Sequence, residues 1–170
     1  MLMSCNPEPN PTVTESPMYT VGVTTANTGF ATNLVSASPY GEHLYIKYYS
    51  SYRQLIKAVS SGGVDSGIVL FLPDDVNIFR TPLALTSLQA IVHPGCEIDE
   101  LSVDQLSSVF TGAIVNWEEF GGVSEPIKLA VREEGDSARA VFESIVLGNY
   151  SPSPVARVLA GDDLMLQYVK

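Results

Sequence analysis

Residues 19–29, YTVGVTTANTG, decide how the chain is read. The first five are short and rich in β-branched side chains, which suits a strand; the small polar run from Thr24 then leads into a helix carrying Phe30 and Leu34. Beyond it, HLYIKYY at 43–49 reads as a second strand. SYRQLIKAV at 51–59 sets Leu55, Ile56 and Val59 at helical spacing, and Ser60 to Gly63 supply the stop. GVDSGIVLFL at 63–72 is a third strand, so the first third alternates βαβαβ. Such alternation favours a mainly parallel sheet with helices on its faces, and those sheets hold ligands at the carboxyl ends of their strands. The loop that begins at Thr24 sits at such an end.

Working outward, LALTSLQAIVHPG at 83–95 is a long β-like run able to leave one lobe and enter another. A helix follows. Ser102 and Gln105 form a capping-box pattern, Val103, Leu106, Val109 and Phe110 make one apolar face, and Gly112 closes it. IKLAV at 127–131 is a strand ending at Arg132, and the next helix carries Val141, Phe142, Ile145 and Val146 before Gly148. VARVL at 155–159 reads as a strand, and Asp162 opens a last helix to Lys170. In the other direction, residues 1–17 hold four prolines among Asn, Thr, Ser and Glu, too little apolar surface to offset the entropy of ordering. The expected organisation is a tether at 1–17, a first α/β lobe at 18–82 and a second at 83–170.

Composition narrows the function. With 45% hydrophobic and 16% charged residues the chain suits a compact fold. A net charge of −10 disfavours nucleic acid, whose phosphates are held by clustered Lys and Arg, yet it leaves room for a small anion held by one Arg and helix N-termini. No run reaches the roughly 18–20 apolar residues that span a bilayer. The opening MLMSC resembles the end of a bacterial lipoprotein signal, which would place a lipid on Cys5 and the protein on the outer side of the membrane. A chance start with an incidental cysteine is the other reading. His43 and His93 lack ligand spacing, so neither metal nor other cofactor is expected. No nucleophile, base and orienting partner can be assembled, which argues against an enzyme.

Three blocks carry a resemblance to a known family: IVHPG at 91–95, LSVDQLSSVFTGAIVNWEEFGG at 101–122, and IKLAVREEGDSARAVFESIVLG at 127–148. They are similar to the second lobe of the phosphate-binding, PstS-like substrate-binding proteins of ABC transporters; VGVTTAN and GVDSGIVLF resemble elements of that family's first lobe. The resemblance implies a type II periplasmic-binding-protein fold, two α/β lobes with mainly parallel sheets joined by crossing strands. An oxyanion, with phosphate foremost, would be caught between the lobes and passed to a membrane permease. The family continues past the last helix with a strand that returns to the first lobe, whereas this sequence stops at Lys170. If that return is missing, making the form C-terminally incomplete, the first lobe lacks supporting elements, and either a partner chain or reduced stability is expected.

The same resemblance nominates ligand residues. Arg132 matches the arginine that grips the anion; an ion pair with Glu133, Glu134 or Asp136 is its structural alternative. Where phosphate binders commonly carry Gly-Ser-Gly-Thr, this chain has Gly135, Asp136, Ser137 and Ala138, which loses a threonine hydroxyl and adds a carboxylate. Asp136 would either cap the following helix or meet the ligand, and Ser137 keeps a hydroxyl and an N–H near the helix start. Thr24 and Thr25 match first-loop hydroxyls, and Ser50 and Ser51 match a serine after the second strand; helix capping competes for Thr25, Ser50 and Ser51. Leu70 and Phe71 stand where polar ligands are often found, a further departure. A degenerate family member acting as a surface sensor or interaction module is the alternative function. Trp117 and the tyrosines of LYIKYYSSY read as packing groups.

Overall fold

The computed structural model describes residues 18–170. The tether expected at 1–17 and the lipidation expected at Cys5 lie outside them. Two parallel sheets organise the chain. In the first, β1 (Tyr19–Thr24) lies between β2 (Leu44–Tyr49) and β3 (Ser66–Ile68), with α1 (Thr28–Ala37) and α2 (Tyr52–Ser60) as the connections. The centre of that sheet is built for one side chain. Gly22 of β1 and Gly67 of β3 are register partners, and a Cβ on Gly67 would come within 3.1 Å of Leu55 Cδ1. A Cβ on Gly22 would collide with the same leucine. The bare backbone makes a flat floor on which α2 rests Leu55, which is completely buried. Arg53, Gln54 and Lys57 keep the outer face of the helix in water.

The second sheet pairs β4 (Ala130–Arg132) with β5 (Arg157–Leu159), also parallel. It is preceded by α3 (Val103–Thr111) and interleaved with α4 (Ser137–Phe142) and α5 (Gly161–Val169). The capping box forms as the local sequence dictates. The Ser102 hydroxyl accepts from the Gln105 N–H at 3.2 Å, and the Gln105 side chain accepts from the Ser102 N–H at 2.7 Å. Gly112, at φ +81°, ends α3 in the left-handed region. The helix of α4 runs on as a π turn, Glu143–Leu147, and Phe142 meets Phe110 of α3 edge-on at 4.6 Å. Val109 and Leu147 are buried beside them.

Two segments differ from the sequence reading. The third strand is Ser66–Ile68 alone, and Leu70 and Phe71 fall in the loop after it; Phe71 packs edge-on against Tyr52 at 5.4 Å. The run at 83–95, expected as a crossing strand, forms no ladder, and Leu85 within it is fully exposed. A β-like sequence becomes a strand only beside an edge that accepts its N–H and C=O groups, and among the described residues no strand runs alongside it. Between this segment and β4 lies an apolar cavity of about 590 Å³, lined by Leu88, Ile91, Val109, Phe110, Val131 and Phe142 among others.

The two sheets meet edge to loop. The Tyr52 N–H donates to the Gly135 carbonyl at 3.1 Å, joining the start of α2 to the loop after β4. Gly135 holds φ +88°, and a Cβ there would stand 2.7 Å from Ser51 Oγ. Two outcomes follow from this packing. Leu55→Ala is expected to lower unfolding free energy by about 2–5 kcal/mol in denaturant titration, because the glycine floor cannot collapse to fill the space. Gly135→Ala is expected to cost about 1–2 kcal/mol from left-handed strain, plus the clash with Ser51. Adding Ser51→Ala should recover only the clash, so the double variant, measured the same way, stays below the native protein.

Candidate functional site

The carboxyl ends of β1, β2 and β4 face the same junction. Thr24, the last residue of β1, is buried, and its Oγ1 lies 3.5 Å from the Oγ of Ser137, which is wholly buried at the start of α4. One hydroxyl ends a strand of the first sheet and the other opens the helix after β4 of the second. Asn27 holds the first of them: its side-chain N–H donates to Thr24 Oγ1 at 3.1 Å and to the Ile68 carbonyl at 3.3 Å, tying the loop after β1 to the end of β3. Asn27 is itself buried, and sequence reasoning passed over it although it stands inside the quoted loop.

Other first-sheet candidates point elsewhere. Thr25 is exposed. The Ser50 hydroxyl donates to Gln54 Oε1 at 3.1 Å, and the Ser51 hydroxyl caps α2 by accepting from the Arg53 N–H at 3.2 Å. Ser51 still touches the junction through its contact with Gly135. Trp117 begins a short turn, Trp117–Phe120, capped by Asn116, and faces Phe120 at 6.4 Å.

Around Arg132 the charges are arranged in pairs. Its Nη2 donates to Asp136 Oδ2 at 2.9 Å and its Nη1 to Asp162 Oδ1 at 2.7 Å. Glu133 Oε2 is 3.8 Å from Arg132 Nε, too far for a hydrogen bond, and both atoms are buried without one. The Arg132 side chain is 11% exposed. Asp136 is more deeply set, and its other oxygen accepts from the Ala138 and Arg139 N–H groups at 2.8 and 3.0 Å, so it caps α4 and holds the guanidinium together. Arg139 in turn donates to Glu143 Oε1 at 2.7 Å and to the Arg132 carbonyl at 2.9 Å. Arg53 lies 3.7 Å from Glu134, and its hydrogen bond to the Tyr52 hydroxyl raises its pKa further above the ordinary arginine value. A cleft of about 330 Å³ opens beside these groups, between Tyr52, Arg53, Gly135, Arg139 and Glu143.

The geometry therefore gathers Thr24, Ser51, Arg132, Gly135, Asp136 and Ser137 at one junction, while Thr25 and Ser50 face away from the contacts that define it. Asp162 was legible only as a helix start; its role as the second partner of Arg132 spans 30 residues and has no local signal.

Comparison with known proteins agrees with this architecture. A family model described as a PBP superfamily domain matches residues 50–170. The phosphate-binding protein PstS of Bacillus subtilis (strain 168) is 34% identical over 71 residues, which is 42% of this chain and 24% of that protein, so the chain spans about a quarter of that relative. A phosphate ABC transporter substrate-binding protein from Clostridium perfringens, solved with bound phosphate, superposes with a TM-score of 0.72 at 20% identity, covering 88% of this chain and 65% of that one. An ABC-type phosphate transport receptor from Vibrio cholerae gives 0.72 at 21% identity, covering 91% and 67%. Identities at this level speak for the fold. With its parallel α/β sheets and a family match over most of its length, the chain belongs to the PBP superfamily.

Proposed function

We propose that the chain is the anion-contacting part of a phosphate-type substrate-binding protein, taking phosphate or a related oxyanion between a first lobe at 18–82 and a second at 83–170. The observation that carries this reading is the pair of buried hydroxyls 3.5 Å apart, Thr24 at the carboxyl end of β1 in the first sheet and Ser137 at the start of the helix that follows β4 of the second. A desolvated oxyanion needs several donors from both sides, and hydroxyls, loop N–H groups and one guanidinium provide them without a metal. The names of the similar proteins, which speak of phosphate binding and of ABC transport, support the same ligand class.

On this reading the protein works outside the cytoplasmic membrane, held by lipid on Cys5, and presents its solute to a permease. Binding would draw the lobes together, and the permease would read that closure. Arg132 supplies charge, Gly135 lets the loop approach Ser51, and Ser137 and Thr24 supply hydroxyls from opposite sides. Thr25, Ser50 and Ser51 remain in the proposed contact set through movements that closure would bring.

One observation favours a second reading, a family member that has become a surface sensor or interaction module. Each of the guanidiniums at the junction already has a carboxylate partner: Arg53 has Glu134, Arg132 has Asp136 and Asp162, and Arg139 has Glu143. Calorimetric titration of phosphate, sulfate and related oxyanions separates the two. Capture predicts measurable heat with phosphate and a loss of about ten-fold or more in affinity for Arg132→Ala, the size of a charged hydrogen bond. No heat and no thermal stabilisation with any oxyanion would remove the capture reading. Equal binding by the native protein and Arg132→Ala would remove only that arginine's role.

A further inference from the structure

The donors best placed to hold an oxyanion are not idle. Asp136 Oδ1 takes the Ala138 and Arg139 N–H groups, and Oδ2 takes Arg132 Nη2, all within 3.0 Å. Backbone amides at the start of a helical run together with a guanidinium are the groups that a bound phosphate or sulfate would use. The carboxylate is 1% exposed, so it is engaged with these donors rather than with water. Asp162, by contrast, meets the same guanidinium with a side chain 89% exposed and takes none of those amides.

We infer that Asp136 is a tethered competitor for the anion seat and sets how tightly the site holds its solute. This rests on the capture reading and adds the residue that tunes it. A solute anion can engage the Ala138 and Arg139 amides and Arg132 Nη2 only by displacing a carboxylate fixed to the same loop. Tethering keeps that rival at a high effective concentration whatever the solute level. While it stays seated, its charge also repels an incoming anion across a poorly hydrated space. Thr24, Ser137 and the buried unpaired Nε of Arg132 are the other donors at hand, and the Ala138 and Arg139 amides join them only when Asp136 leaves.

The test is phosphate titration of four proteins: native, Asp136→Ser, Asp136→Asn and Asp162→Asn. Serine keeps a side-chain oxygen for the helix cap, so α4 should survive the loss of charge. Asparagine keeps the shape if serine disturbs folding. Both Asp136 variants are expected to bind phosphate about ten-fold or more tighter than native, or to bind where native gives no heat. Asp162→Asn removes the same charge from the same guanidinium and should tighten binding less. Folded Asp136 variants that bind no tighter than native would overturn the competitor. So would an equal gain from Asp162→Asn, which would make the effect one of net charge. If phosphate binds natively and Arg132→Ala abolishes it while the Asp136 variants gain nothing, capture stands and the competitor falls; if no variant binds, both fall.

Discussion

A guanidinium and a carboxylate four residues apart, Arg132 and Asp136, hold the junction of this molecule together. The pair is buried on the carboxylate side and nearly so on the arginine side, and it carries the helix cap of α4 with it. A buried charge without a partner is strongly unfavourable, so neither residue can be considered alone. On the capture reading, an entering anion would have to satisfy Arg132 at least as well as Asp136 does and leave the carboxylate somewhere to go.

The rest of the fold positions this pair. The glycine floor of β1 and β3 seats α2 through Leu55, which fixes Ser51 and Tyr52 at the sheet's edge. Tyr52 then reaches across to the Gly135 carbonyl, and the left-handed turn at Gly135 lets the loop after β4 come within contact of Ser51. Packing in the first sheet thereby sets the distance between Thr24, at the end of β1, and Ser137, at the start of the helix after β4. The Asn27 side chain adds a brace by joining Thr24 to the end of β3. A change in the first sheet's core should thus be felt at the hydroxyl pair.

What could be read from the sequence was what neighbours in sequence determine. The capping box at Ser102 and Gln105, the stop at Gly112, the cap supplied by Asp136 and the βαβαβ alternation all depend on contacts within a few residues, and all are present. The likeness of the Arg132 loop to a phosphate-binding family singled out residues that the fold brings together, Arg132, Gly135, Asp136 and Ser137. Long-range partners were not legible. Asp162 reaches Arg132 over 30 positions and Asn27 reaches Ile68 over 41, and no periodicity encodes either. The run at 83–95 failed as a strand for a related reason: its residues have the β character, but strand formation is a property of two edges, and among the described residues no second edge lies beside it.

The central claim is that loops from both sheets form one anion seat whose amides pass from Asp136 to the solute. Recording amide resonances during phosphate addition tests it directly. The account predicts that the Ala138 and Arg139 amides shift together with Ser137 and with Thr24 of the first sheet, at one common midpoint. Shifts confined to exposed lysines, or to one sheet with the Ala138 and Arg139 amides unmoved, would contradict it.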